Sequence, residues 1–186
     1  MSELAERLLA LPSFPDRMPS LDPQLAPADP EPLFLEWLDD AIASGVRQPH
    51  AMTLITVRDD GTPVGRTVII KDIDAHGVQF STHRASRKGQ QLVADDRATL
   101  LFFWRETGRQ VRITGRVHEL SAADSAEDWE KRPSYDEKPN PDWQLYALEP
   151  DEFEFLQARE DRKHTRVEYH RDGGSWENGI VETPAG

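Results

Sequence analysis

The stretch STHRASRKGQQ, residues 81–91, gathers Arg84, Arg87 and Lys88 beside His83 in a chain whose formal charge is −12, from 22 basic and 34 acidic residues. Ser86 reads as a helix N-cap, which puts Arg87 and Lys88 in a first helical turn. The helix dipole already makes that end positive, so cations there are opposed by a few tenths of a kcal/mol each, roughly. A bound phosphate reverses the sign, because backbone N–H groups, dipole and side chains then act together. Two readings stay open on these residues alone: an anion site, or a merely basic surface.

Two other clusters carry the same ambiguity. Arg66 and Lys71 flank the apolar TVII of a strand; Arg66, Val68 and Ile70 fall on one face, Thr67, Ile69 and Lys71 on the other. They are either solvated strand ends or cations over an anion. In REDRKHTRVEYHR, residues 159–171, Arg162 precedes a strand from whose one face His164 and Arg166 project. A lone histidine is more often structural than catalytic, and the two arginines only balance the odds. The chain has no GxSxG elbow, P-loop, GxGxxG or HExxH pattern, and its six histidines lack metal-ligand spacing. No self-contained acid–base or nucleophilic site stands out, which leaves the reaction to a cofactor.

The elements that must position these groups are β-rich. Seven of the 14 prolines precede Leu33, so residues 1–28 read as a Pro-rich arm with a short helix, ahead of one domain over 29–186. Asp29 caps a helix beginning at Pro30, with Leu33, Phe34, Trp37, Leu38, Ala41 and Ile42 on its apolar face and Gly45 as its stop. AMTLITVR, GRTVIIKDI and GVQFSTH, joined by DDG and DAHG, predict an antiparallel meander. A helix over 86–95, the long strands RATLLFFWRE and RQVRITGRVHEL, and the acidic helix SAADSAEDWE follow. Residues 134–144 read as Pro-rich loop, and DEFEFLQ, HTRVEYH and SWENGIV as three further strands. About seven strands with few helices indicate a mainly β fold with peripheral helices, a closed or split barrel.

The acidic charge argues against nucleic acid as a partner. Zero cysteines exclude disulfides and thiolate chemistry. The N-terminal residues lack the pattern of a secretory signal, and no run approaches the ~20 apolar residues of a membrane span. The expectation is a soluble, cytoplasmic protein.

Taken together, RTVIIK, FSTHRASRKG and RQVRITGRVHELS, in this order and spacing, resemble the pyridoxamine 5′-phosphate oxidase family of flavoproteins. The resemblance covers residues 30–133 and resumes over 146–176. It implies an FMN-binding split β-barrel, homodimeric, with FMN in clefts between subunits. It further implies that Arg66, Thr67, Val68, Ile69 and Lys71 line the cofactor. Ser81, Thr82, Arg87 and Lys88 would lie at its phosphate, Gln110 at the isoalloxazine edge, and Arg166 against the cofactor from the R-x-H-x-R motif. Lys71, Arg132, Arg162 and His164 would contact a small-molecule substrate. The activity implied is hydride transfer from an amine or dihydro-heterocycle to flavin N5, with reoxidation by dioxygen.

The departures are specific. Asp128 and Asp136 stand where the family's vitamin B6 phosphate oxidases have a tyrosine and a serine, Leu156 where a tryptophan is expected, and a segment after Pro133 is missing. THRASRKG, the WRE of residues 104–106 and Trp129 lean toward the branch that acts on phenazine precursors, whose substrates are carboxylated heterocycles. The alternatives are a pyridoxamine or pyridoxine 5′-phosphate oxidase with a shortened lid, a flavin- or deazaflavin-binding reductase or carrier, and a barrel that serves only as an interaction module.

Overall fold

The structure is a computed structural model and describes residues 1–12, 14–15 and 18–181. Its order is α1 (Glu3–Leu9), a 3₁₀ turn (Pro23–Leu25), α2 (Pro30–Ala43), β1 (Ala51–Val57), β2 (Pro63–Asp74), β3 (Gly77–His83) and α3 (Arg87–Ala94). There follow β4 (Arg97–Trp104), β5 (Arg109–Glu119), α4 (Ala122–Glu130), β6 (Trp143–Gln157), β7 (Thr165–Asp172) and β8 (Ser175–Ile180). The sheet runs β3-β2-β1-β4-β5-β6-β7-β8, and β3 pairs with β6. That pairing closes six strands into a barrel and leaves β7 and β8 as an antiparallel extension.

β6 does two jobs. Its first half closes the barrel against β3, from Val78↔Leu148 to His83↔Trp143. Its second half leaves the barrel to pair with β7, from Glu152↔His170 to Gln157↔Thr165. The change of direction falls where Gly115 faces Pro150 and the β5–β6 register shifts. A Cβ at residue 115 would collide with the Glu149 carbonyl, so this crossing needs glycine.

The strand β6 begins at Trp143, earlier than the DEFEFLQ run predicts, and takes the end of the expected Pro-rich loop. Residues 143–148 are all buried, with the barrel interior on one side and α4 on the other. Such a strand has no polar alternation to announce it, and Pro150 argues against strand wherever no bulge is foreseen.

The barrel's core is aromatic. Phe34 of α2 packs against Phe102 at 5.0 Å and Trp37 against Phe155 at 5.3 Å, so α2 closes one barrel end. Arg109, 3 % exposed, lies over the Trp37 ring at 4.4 Å and is neutralised by Asp40 at 2.7 Å. The N-terminal arm lies along β7, where Tyr169 donates to the Pro27 carbonyl at 2.9 Å.

Candidate functional site

Ser86 caps α3 as its sequence predicts, accepting the Gly89 N–H at 3.2 Å. Gly89 permits the tight approach of the preceding turn, since a Cβ there would lie 2.7 Å from the His83 carbonyl oxygen and nearer still to that of Arg84. The turn is held from outside by Asp142. Its carboxylate accepts the Ala85 N–H at 2.9 Å and lies 3.1 Å from His83 Nδ1, and its carbonyl accepts the Arg84 N–H at 2.8 Å. Arg84 itself is turned away from the helix start, bonded to Gln144 and, at 3.1 Å, to Glu119.

At this helix start two cations share one place. Arg66 reaches from the inner side of β2 to the Leu54 carbonyl at 3.1 Å, Thr56 Oγ1 at 2.6 Å and Gln91 Oε1 at 2.9 Å, all neutral acceptors. Burial disfavours its charge. Lys88 is held below the ordinary lysine value, first by burial and then by the Arg66 charge. Among the described residues, no carboxylate lies within ion-pair distance of Arg66, Arg87 or Lys88. Arg87 is exposed beside them, and Thr82 is buried with its Oγ1 3.4 Å from Ser86 Oγ. Ser81 Oγ is buried without a hydrogen-bond partner. Half-buried cations with no carboxylate near them among the described residues, at a capped helix N-terminus, form a donor set that lacks an anion; the orphaned Ser81 hydroxyl belongs to the opposite face of β3 from Thr82. A phosphate such as that of FMN fits this set.

Gln110 and Arg166 lie elsewhere. Phe103, Gln110, Leu156 and Arg166 stand directly opposite one another across β4, β5, β6 and β7, in one row on the outer face. Phe103 is 63 % exposed there, and Thr67 and Ile69 are exposed on the outer face of β2. The sequence places Gln110 and Arg166 56 positions apart; sheet pairing makes them neighbours but one.

The four substrate candidates divide into two pairs at opposite ends of the 15-residue β6. At the Trp143 end, Lys71 Nζ is 3.4 Å from Asp128 Oδ1, and Trp143 Nε1 donates to Asp128 Oδ2 at 2.7 Å. The Arg132 guanidinium lies 4.1 Å from the Trp143 ring centroid and 5.0 Å from that of Trp129. At the Gln157 end, Arg162 has a left-handed backbone (φ 61°), while His164 accepts the Arg159 N–H at 3.1 Å and meets Phe14 edge-on at 5.9 Å. A strand rises about 3.3 Å per residue, so the ends of β6 lie some tens of Å apart, roughly 45 Å if straight. Within one subunit the two pairs therefore belong to different ends of the strand, one on each side of its change of direction. The sequence singles out Trp129 but neither Trp143 nor Asp142, because partners distant in the chain give no local signal.

Comparison with known proteins agrees with this geometry. Residues 38–157 match the pyridoxamine 5′-phosphate oxidase family, and residues 143–180 match the pyridoxine 5′-phosphate oxidase C-terminal dimerisation region. A pyridoxine/pyridoxamine 5′-phosphate oxidase of Bordetella petrii is 40 % identical over 184 residues, covering 81 % of this chain and 88 % of that one. Its counterpart from Burkholderia lata is 37 % identical, covering 82 % and 87 %. Since 81 % of 186 residues is about 151, about 33 of the 184 positions aligned with the Bordetella petrii protein face no residue of this chain. The crystal structure of PhzG from Burkholderia lata 383 in complex with tetrahydrophenazine-1-carboxylic acid superposes with a TM-score of 0.81 at 31 % identity, covering 89 % of this chain and 99 % of that one. A pyridoxamine 5′-phosphate oxidase-related, FMN-binding protein from Nostoc punctiforme shares the fold, with a TM-score of 0.72 at 18 % identity. With the barrel, the ordered motifs and the matched dimerisation region in agreement, the chain belongs to the pyridoxamine 5′-phosphate oxidase family.

Proposed function

We propose that the protein is a homodimeric, FMN-dependent oxidase that dehydrogenates a flat, carboxylated dihydro-heterocycle. The observation that carries this reading is the Arg66–Lys88 pair at the start of α3, where Arg66 bonds neutral acceptors and no carboxylate of the described residues pairs with either cation. Arg66, Arg87, Lys88, Thr82 and Ser81 would hold the FMN phosphate, with Thr67, Val68, Ile69 and Lys71 along the cofactor. Bound FMN would supply a hydride acceptor for the substrate and a route for the two electrons, with two protons, to dioxygen, giving hydrogen peroxide.

The chain's own residues bind and orient. Gln110 and Arg166 share an outer-face row with the exposed Phe103. That row supports a cofactor ring lying between two subunits, as does the match to the dimerisation region. In such a dimer Lys71 and Arg132 of one subunit and Arg162 and His164 of the other would flank a single substrate, an arrangement that suits their places at opposite ends of β6. Tetrahydrophenazine-1-carboxylic acid, the molecule bound in the Burkholderia lata PhzG structure, has the expected chemistry.

The test has two stages. Purified protein shows a flavin absorption spectrum, and a dihydrophenazine carboxylate bleaches it under anaerobic conditions, with colour returning on admission of air. A colourless protein that takes up no added FMN, or a flavin bleached by no heterocycle or amine, sinks the reading. A second reading, pyridoxamine or pyridoxine 5′-phosphate oxidase, is favoured by the 40 % identity to the Bordetella petrii enzyme. Turnover of those vitamers, with loss in Arg162→Ala, is its test.

A further inference from the structure

Resting on the reading of this pocket as the substrate site, we propose that Asp128 sets its specificity by charge: it occupies Lys71 from within, so the pocket admits a flat monocarboxylate and refuses a phosphate ester. Both oxygens of Asp128 are engaged, Oδ1 by Lys71 at 3.4 Å and Oδ2 by the Trp143 indole at 2.7 Å. The Asp128 side chain is largely covered, 12 % exposed, whereas Lys71 is an exposed residue whose side chain keeps 26 % of its surface open. This ion pair is therefore built into the wall, and it gives the lysine the carboxylate a ligand would otherwise bring.

The cation left over is Arg132. It lies over the rings of Trp143 and Trp129, and among the described residues no carboxylate is within ion-pair distance of it. Stacking on aromatic faces leaves a guanidinium's in-plane N–H groups for a planar, two-oxygen acceptor. His83 meets Trp143 edge-on at 5.0 Å and Trp129 at 6.3 Å, and the two indoles are tilted 54° to each other, so Arg132 sits in an angled aromatic cluster.

Counting Lys71, Arg132 and Asp128, the group carries one net positive charge. A monoanion cancels it. A phosphate dianion overshoots, and it must approach Asp128 or displace it from Lys71 at the cost of exposing the carboxylate to a like charge. The far side adds to the refusal, because the cavity of about 420 Å3 that the pair lines also holds Asp72, Asp74, Asp124 and Glu127 against Lys131, which is paired to Glu127, and His76. Asp136 takes no part. It is exposed and turned to Lys138, whose N–H it accepts at 3.3 Å. The repulsion that the sequence assigns to two aspartates thus falls on Asp128 alone.

Equilibrium titration of the FMN-loaded protein with phenazine-1-carboxylate and with pyridoxal 5′-phosphate tests the proposal, the flavin spectrum verifying the load. The wild type binds the carboxylate at least tenfold more tightly. Asp128→Asn, which keeps an acceptor for Trp143, tightens pyridoxal 5′-phosphate at least tenfold and changes the carboxylate less than about threefold. Asp128→Glu keeps the wild-type preference, and Arg132→Gln weakens the carboxylate at least tenfold. Equal wild-type affinities, or a preference unchanged in Asp128→Asn, overturn the proposal; circular dichroism of the variant verifies its fold, and Asp128→Tyr replaces it if it misfolds. Absence of a flavin spectrum overturns the cofactor assignment, and the same titrations on the apoprotein then judge the charge rule by itself.

Discussion

The Asp142 carboxylate accepts the backbone N–H of Ala85 at 2.9 Å, which ties the residue before β6 to the turn that starts α3. Neither residue touches the Arg66–Lys88 cluster, yet the contact fixes where the helix N-terminus points. Asp142→Ala leaves the Arg84 N–H bond to the residue 142 carbonyl in place and removes the side-chain clamp. The bond is solvent-exposed, so the fold loses only about 1 kcal/mol. FMN affinity, read by quenching of flavin fluorescence, falls about tenfold because the cradle loosens. Asp142→Asn retains the acceptor oxygen and most of the affinity. An FMN affinity unchanged in the alanine variant removes Asp142 from this role.

Gly89 gives a sharper handle on the same turn. Its φ is ordinary, so the demand on it is space: an added Cβ meets the His83 and Arg84 carbonyl oxygens. Backbone must move to admit a methyl group, at a cost of about 1–3 kcal/mol. Gly89→Ala lowers the melting temperature and weakens FMN binding more than Asp142→Ala does. Helix propensity alone predicts the opposite, about 1 kcal/mol of stabilisation. Calorimetry on the two proteins separates these outcomes.

Which parts of this architecture are legible in the sequence follows from how local their causes are. The α3 cap, the helix on Pro30 and the meander over residues 51–83 depend on neighbours a few positions away, and all stand where they are expected. The mainly β, barrel-type reading holds too. The first half of β6 escapes because both of its faces are covered and its partners β3 and β5 lie far upstream. The pairing of Arg66 with Lys88 leaves a trace, since cations at a helix start call for an anion, but that no carboxylate of the described residues pairs with them is a tertiary fact. The Asp128–Trp143 bond joins α4 to β6, and no periodicity encodes it.

Lys88 links the phosphate cradle to pH. Burial and the Arg66 charge lower its proton affinity in the folded apoprotein, below the ordinary value of 10.5 that the unfolded chain keeps. Between the two values the unfolded chain binds more protons, so apoprotein stability rises as pH climbs toward 10.5. A bound dianion favours the charged lysine instead. FMN binding therefore takes up a proton in that window, and affinity falls as pH rises through it. Lys88→Arg keeps its charge across the range and flattens the profile. Dissociation constants measured from about pH 7 to about pH 10 give the comparison; parallel profiles for wild type and arginine variant contradict it.

Glu154 carries an opposite pH signature on the outer face. It is 8 % exposed, accepts Arg112 Nη2 at 3.1 Å and stands directly across from Glu168 of β7. Burial is the largest cause that raises its pKa above the usual 4.5, opposed by Arg112; a shared hydrogen bond and charge repulsion with Glu168 raise it further. The folded chain thus holds a proton that the unfolded chain releases first. The stabilisation is fully present below about pH 4.5 and is lost as pH rises through the folded value. Glu154→Gln stays neutral, can donate to Glu168 and still accepts from Arg112. Its melting temperature should exceed the wild type's by a few degrees at neutral pH, with the gap closing as the solution is acidified. Because the residue lies in the segment matched to the dimerisation region, melts at two protein concentrations are needed. A gap that grows on dilution reflects subunit dissociation, a constant gap reflects the carboxyl pair within one chain, and a gap that widens toward acid contradicts the assignment.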